Sequence, residues 1–446
     1  MKNFIETIKN IWSIEELRKR ILFTLSLLLV YRLGSFLVLP GVDPAQLDAL
    51  QQQTSSGVLS LLNMFSGGAF AQASVLALGI MPYISASIVV QLLGLAVPYL
   101  QKLDKEGESG RRKKNQITRY LTVGITMAQA PAYIANLKAQ LPAEAFFLSP
   151  GTFWFTSIVI LVTGTMFAMW LGEKITDKGI GNGISLLIMI GIIASLPQSF
   201  AFELTSRLTA QGGGLVALVV ELALLMLVIL VSILLVQGTR RIPVQFAKRV
   251  VGNKQYGGVR QYIPLKVNAS GVMPIIFAQA IMFVPITLVG FSESETLQGI
   301  ASALTDFSGF TYNFIFALLI ILFTYFYTAI TVNSNQMADD MKRNGGFIPG
   351  VKPGKRTAEF IDTVMSRITL PGSIFLAIVA ILPAFAMQAG VNTQFAQFYG
   401  GTSLLIMVGV VLDTLQQIES YLLNRHYDGL MKSGRIKGRA GVGAAI

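Results

Sequence analysis

"LGIMPYISAS", residues 78–87, decides how this chain is read. Gly79 and Pro82 both weaken a helix, yet no charged residue occurs between Asp48 and Lys102, so water is not expected to satisfy a loosened backbone there. The phrase nearly repeats. Gly271-Val272-Met273-Pro274-Ile275-Ile276 matches Gly79-Ile80-Met81-Pro82-Tyr83-Ile84 at four of six positions. A chain that builds the same breakable apolar helix twice has a use for the break.

The surroundings of the two phrases are those of a membrane protein. The chain has 446 residues, 53% of them hydrophobic and 13% charged, too apolar for an ordinary soluble protein and too long for one core. Apolar spans of about 20 residues fall at 21–39, 76–98, 117–137, 152–172, 183–202, 214–237, 268–290, 312–332, 368–388 and 402–422. Of the 35 Lys and Arg, only Lys138 and Arg207 fall in loops of one side, Arg32 lies inside the first span, and the remaining 32 lie on the other side. An even number of spans with that bias puts both termini in the cytoplasm. The amphipathic stretch before residue 21 lacks a small-residue cleavage site and reads as part of the protein.

With this numbering the repeated phrase opens span two and, five spans later, span seven. Five is odd, so the two copies cross the bilayer in opposite directions, as inverted repeats do. The plainer reading, that proline simply suits the first turn of two helices, is set beside it. Between spans one and two, "GVLSLLNMFSGGAFAQAS" (57–74) is apolar and rich in small residues but too short to cross, the length of a re-entrant or interfacial segment.

Catalytic chemistry is not legible. Cysteine is absent and His426 is the only histidine, which removes the usual thiol and imidazole nucleophiles and metal-binding tracts. "GVKPGKRT" (350–357) has the wrong glycine spacing for a phosphate loop, and Arg356 stands where Ser or Thr would hold magnesium. The intramembrane acids Glu221, Asp413 and Glu419 are scattered, and with Arg32 they read as structural hydrogen bonding or a wet cavity rather than a proton relay. No cofactor is expected.

Charge concentrates instead in two long inner loops. Residues 239–266 carry Arg240, Arg241, Lys248, Arg249, Lys254, Arg260 and Lys266 and no acid, an anion-seeking surface. The loop 333–367 contains "GGFIPGVKPGKRT", whose Pro-Gly pairs predict a tight tip bearing Lys352, Lys355 and Arg356. Both suit docking of a large anionic partner or a cytosolic protein.

Taken with "NMFSGGAFAQASVLALGIMPYISASIVVQLL", "EGESGRRKKNQITRY", "TGTMFAMWLGEKITDKGIGNGIS", "RRIPVQFAKR", "IPLKVNASGVMPIIFA", "FIPGVKPGKRTAEFI" and "GGTSLLIMVGVVLDT", the chain resembles the SecY family, the channel subunits of the bacterial protein translocase. The resemblance covers almost the whole chain. It implies an all-α polytopic protein of ten transmembrane helices in two inverted pseudo-symmetric five-helix halves around an hourglass pore. The halves would be residues 21–210, which include a plug near 58–72, and 211–424. A cytoplasmic N-terminal segment (1–20) and a basic tail (425–446) would flank them.

Residue by residue, the resemblance implies a pore ring of Ile80, Ile84, Ile184, Ile188, Ile276 and Ile406; Ile80/Ile84 and Ile184/Ile188 are i,i+4 pairs, each on one helix face. The plug would hold Leu59, Leu62, Met64, Phe65, Gly67 and Gly68. A lateral gate between spans two and seven would use Ser85, Gln129, Gln279 and Phe283, and the docking loops would act through Arg240, Arg241, Lys248, Arg249, Lys352, Lys355 and Arg356. Lys352 departs from the family's usual arginine, keeping the charge but losing the bidentate fork. The implied function is passage of unfolded secretory chains across the bacterial cytoplasmic membrane and release of hydrophobic segments sideways into lipid. The implied partners are SecE, SecG, the motor ATPase SecA and the ribosome with its RNA. Two other classes are weighed: a secondary transporter built from inverted repeats, which calls for polar groups at the midplane, and an intramembrane hydrolase, which lacks a catalytic set.

Overall fold

Gly79 and Gly271 both take positive φ, 52° and 62°, a conformation that strains any residue with a Cβ. Each is followed two residues later by the first residue of a helix, Met81–Ala96 in one case and Met273–Val289 in the other. Pro82 sits in the first turn, where its missing N–H leaves no intrahelical bond unmade. The repeated phrase is thus one device used twice: a left-handed glycine that ends a run of turns, and a proline that starts a short apolar helix.

The computed structural model describes residues 11–47, 50, 63–209, 214–246, 249–251, 254–256, 260–289 and 309–432. In chain order the helices are α1 (Glu15–Gly34), α2 (Met81–Ala96), α3 (Pro98–Lys105), α4 (Glu108–Gln140), α5 (Pro150–Lys178), α6 (Gly183–Leu208) and α7 (Gly214–Gln237), then α8 (Met273–Val289), α9 (Phe310–Thr331), α10 (Ser334–Arg343), α11 (Lys355–Gln388), α12 (Thr393–Ala396) and α13 (Gly401–Lys432). Each of the ten expected spans coincides with one of these: α1, α2, α4 to α9, α11 and α13. Among the described residues, α5, α6, α7, α9, α11 and α13 are by length and composition sufficient to cross a membrane. The glycine-proline starts leave α2 and α8 only 16 and 17 residues long, while α1 and α4 run on into charged turns.

The chain forms two compact units. One contains the first 194 residues apart from 53–61, together with Val410 onward, and the other contains Ser195 to Gly409 with 53–61. In the first, α4 packs against α2 and α5, and α1 against α5. The turn between α5 and α6 is clasped at both ends of its short run: Ile180 N–H donates to Thr24 Oγ1 at 3.1 Å and Gly181 N–H to Gln417 Oε1 at 2.9 Å. Gly181 takes φ of 82°, and a methyl group there would lie 2.9 Å from Thr414 Oγ1, so the "GIGNG" glycines serve a close approach of backbone to helix.

In the second unit, α9 packs on α8 and α11, and the two basic loops fold into β-structure that the loop reading did not include. Strand β1 (Thr239–Phe246) pairs antiparallel with β4 (Arg260–Lys266), in register Arg240↔Leu265 and Ile242↔Ile263. It also pairs with the short β5 (Gly346–Phe347), so the sheet order is β4-β1-β5. Strands β2 (Arg249–Val251) and β3 (Lys254–Tyr256) form a small hairpin. Alternation explains the sheet: Ile242 and Val244 point to a core shared with Leu265, Met341, Ile348, Ile361 and Met365, while Arg241 and Pro243 face out.

A buried ionic cluster ties the ends of α6 and α7 in this unit to the turn after α11. Arg207 Nε donates to Glu203 Oε1 at 2.8 Å, its Nη2 to Gly390 O at 2.7 Å, and it pairs with Glu221. Asn392 N–H donates to the second Glu203 oxygen at 2.9 Å. Glu221 is therefore an arginine partner, the structural role expected of it. Asp413 and Glu419 are exposed on α13. Replacing Arg207 by Met leaves two buried carboxylates without their cation, a loss of roughly 3–5 kcal/mol. We expect a lower unfolding temperature for Arg207→Met in lipid nanodiscs, recovered in part when Glu203 and Glu221 are also made Gln.

Candidate functional site: a seated re-entrant segment and an isoleucine set

The described part of the proposed plug, residues 63–72, forms with residues 73–75 a compact turn structure organised by Asn63. The Asn63 side-chain oxygen accepts from Ala71 N–H at 2.9 Å, and its carbonyl accepts from Gly68 N–H at 2.8 Å and from Ser66 Oγ at 3.0 Å. Ser66 Oγ in turn accepts from Phe70 N–H at 3.0 Å. These bonds do inside the protein what water would do elsewhere. Gly67 and Gly68 take φ of 69° and 89°, and Met64, Phe65, Ser66 and Phe70 are buried.

The segment is seated in its own unit from three sides. Tyr133 of α4 donates its hydroxyl to Phe70 O at 2.9 Å and packs edge-on against the Phe70 ring, 4.9 Å between centroids. Leu39 N–H and Val75 N–H bond to Ala73 O and Leu37 O, both at 2.8 Å, pinning the far end to the chain after α1. Gly191 of α6 lies directly against Gly67: a methyl group on Gly67 would be 2.9 Å from Gly191 Cα, and one on Gly191 would be 3.1 Å from Gly67 N and Phe65 O. Arg32 of α1 donates from Nη1 to Gly67 O. Asn63 falls within the segment expected from the sequence, whereas Tyr133 and Gly191 were not legible as members of this site. Only Arg32, a charge inside an apolar span, signalled a need for a partner.

Of the isoleucine set, Ile80, Ile84, Ile184 and Ile188 belong to the first unit and Ile276 and Ile406 to the second. Ile80 is the residue from which α2 starts and Ile84 lies one turn on, with Ile80 N-capping the bond Ile84 N–H to Ile80 O at 3.1 Å. Both are buried, as are Ile188 and Ile406. Ile276 is half-buried, as is Ile184, whose Cγ1 would lie 2.9 Å from a methyl group on Gly172 of α5. Ile188 stands one turn before Gly191, so the helix that seats Gly67 also carries a proposed ring residue.

The proposed gate residues are placed as follows. Ser85 returns its hydroxyl to Met81 O at 3.1 Å within α2, and Gln129 is exposed on α4. Gln279 of α8 is buried, its Oε1 meets no partner among the described residues, and it lines a cavity of about 30 Å³ with Asn313, Gln397, Thr402 and Ser403. Phe283 is described in backbone only. Among the docking residues, Arg240 and Arg241 are exposed on β1, Lys352 is exposed on the tip between β5 and α11, and Lys355 and Arg356 are exposed on the first turn of α11. That tip is built by Gly350 and Gly354, φ 85° and 99°, and by Thr357 Oγ1 bonding to Lys352 O at 3.0 Å. Leu59, Leu62 and Lys248 lie outside the described residues, and Arg249 is described in backbone only. No group of three or more His, Asp or Glu suited to a metal occurs among the described residues.

The Gly67–Gly191 contact yields a test of the seating. A Cβ on Gly191 must push the segment away by a few tenths of an ångström, since backbone atoms rather than a flexible side chain stand in its path. We expect Gly191→Ala to raise the resting ion conductance of the protein in planar bilayers, with little change in its unfolding temperature.

The comparisons with known proteins agree with the arrangement. The SecY family model matches residues 74–415. The protein translocase subunit SecY of Chlamydia trachomatis is 42% identical over 457 aligned residues, covering 97% of this chain and 99% of that one. The protein translocase subunit SecY of Mycobacterium tuberculosis is 43% identical over 448, covering 96% and 99%. Among solved structures, that of a protein-conducting channel matches with a TM-score of 0.62 at 18% identity, covering 93% of this chain and 94% of that one. Sec61 from the canine ribosome-channel complex matches with a TM-score of 0.58 at 18% identity, with the same coverage. With helices that start at matching glycine-proline phrases, an internally bonded turn segment between α1 and α2, and identity at this level along nearly its full length, this chain belongs to the SecY family.

Proposed function

We propose that the chain is a protein-conducting channel that passes unfolded polypeptides through a constriction ringed by Ile80, Ile84, Ile184, Ile188, Ile276 and Ile406, with the segment around 58–72 stopping the pore at rest. The observation that carries this reading is the re-entrant segment: apolar, too short to span, bonded through its own side chains, and seated on the helix that bears Ile188. An apolar ring offers any extended chain a collar without preference for sequence, and when narrow it disfavours water and ions.

The other parts of the proposal follow the family. The glycine-proline starts of α2 and α8 let each helix move as a short rod, and the two would form a gate to lipid lined by Ser85, Gln129, Gln279 and Phe283. The ten spans would divide into inverted halves near residue 210. Both termini and the sheet β4-β1-β5 would face the cytoplasm of a bacterial inner membrane, as the distribution of Lys and Arg supports. There Arg240, Arg241, Lys248 and Arg249, with Lys352, Lys355 and Arg356, would dock SecA or ribosomal RNA, and SecE and SecG would complete the complex. The chain carries no nucleotide-binding motif, so the partners would supply the energy.

The alternative of a small-solute transporter requires a polar site large enough for its substrate. The proposed pore ring offers isoleucine side chains in place of such a site.

Site-specific crosslinking tests the channel reading. A photoreactive residue at Ile188 should crosslink to a secretory chain stalled on a ribosome, and a similar probe at Leu224, exposed on α7, should not. Crosslinks at both or neither position would remove Ile188 from the pore. Docking is tested separately: Arg240→Glu with Arg241→Glu should weaken ribosome or SecA binding at least tenfold and make its dependence on salt shallower, while membrane insertion of the channel stays normal.

A further inference from the structure

Arg32 is a charged side chain within the first apolar span, where an ionised group calls for a partner. Among the described residues no carboxylate pairs with it. Its Nη1 donates instead to the carbonyl of Gly67 and to Ser35 Oγ at 3.3 Å, and its guanidinium lies over the Phe36 ring at 4.7 Å from the centroid. Ser35 is fixed for this by donating its own hydroxyl to Arg32 O at 2.6 Å. Gly67 is the residue whose lack of a side chain makes the arrangement fit: a methyl group there would meet Arg32 Nη1 at 3.2 Å on one side and Gly191 Cα at 2.9 Å on the other.

We propose that Arg32 is the latch of the re-entrant segment, a positioning residue that holds residues 63–71 on α6 through the Gly67 carbonyl and thereby sets how often the resting channel opens. The inference rests on reading that segment as the plug, and it goes further by naming the residue that controls its seating. The chemistry suits a latch. A carboxylate partner would leave a buried charge behind when the pair parts, and such a bond would not release. A neutral carbonyl can leave the guanidinium on the Phe36 face and Ser35 Oγ, where the cation keeps part of its stabilisation. A hydrogen bond from a charged donor to a partly buried acceptor is worth enough to shift an opening equilibrium by roughly ten- to a hundredfold.

The absence of cysteine from the chain makes the test direct. Ser66, 3% exposed, is replaced isosterically by Cys, and labelling by a membrane-impermeant maleimide is followed in the complete channel in proteoliposomes. When the segment opens and closes faster than it is labelled, the rate reports the population of its open form. Arg32→Met should speed labelling of Ser66→Cys by roughly ten- to a hundredfold, and Arg32→Lys, which retains a charged donor, should fall between the two. A Cys at Ser157 on α5, equally buried at 1%, should label no faster in Arg32→Met than in the parent. The latch is overturned if Arg32→Met leaves the Ser66→Cys rate unchanged, or if Ser157→Cys accelerates by the same factor, which would mean general loosening. Deletion of residues 63–71 tests the plug separately. If the deletion does not raise resting conductance, the plug reading fails whatever the labelling shows; if it does while Arg32→Met labels at the parent rate, the plug stands and the latch alone is lost.

Discussion

Every backbone group that leaves a helix at membrane depth must find a partner inside the protein, because hydrocarbon supplies none. The described structure departs from helical regularity in a few places, and each departure comes with its own set of donors and acceptors. Between α1 and α2 the work falls to Asn63, Ser66, Tyr133 and Arg32. Between α5 and α6 it falls to Thr24 and Gln417. After α11 it falls to Arg207 and Glu203.

The same constraint separates parts that are built to hold from parts that are built to move. The Arg207 cluster joins a guanidinium to two buried carboxylates and two backbone groups, so breaking it strands charge, and it is a fixed joint. The seat of residues 63–71 uses neutral acceptors, a glycine-glycine contact and one cation with a second resting place on an aromatic face. Such a seat can hold a closed state without being irreversible, as the proposed plug would require.

The β4-β1-β5 sheet follows a different logic. There water satisfies exposed strands, and the chain uses β-structure with a small apolar core of Ile242, Val244, Leu265 and Met341 to raise Arg240 and Arg241 on one strand, Lys352 on a glycine-built tip, and Lys355 and Arg356 on the first turn of α11. A rigid platform of this kind would lower the entropy lost on docking of the proposed partner, and its charge pattern would give speed and specificity to that encounter.

Much of this was determined by sequence alone. Hydropathy and the sidedness of Lys and Arg placed ten spans, each of which coincides with a helix. The Gly-x-Met-Pro repeat marked the two helix starts, because positive φ and an unpaired N–H are local properties that glycine and proline announce wherever they stand. The long motifs announced the family. What only the tertiary structure decided were pairings between residues far apart in the chain: Arg32 with Gly67, Tyr133 with Phe70, Gly191 with Gly67, and Arg207 with Gly390. Nothing in the sequence around Gly191 distinguishes it from other small residues of an apolar helix, since its role is the shape of a contact. The β-sheet escaped for a related reason: its strands are short, carry prolines at 243 and 264, and owe their pairing to a core assembled from β1, β4, α10 and α11. Local conformation is written in local sequence, whereas a seat, a latch or a platform exists only once the fold has brought its parts together.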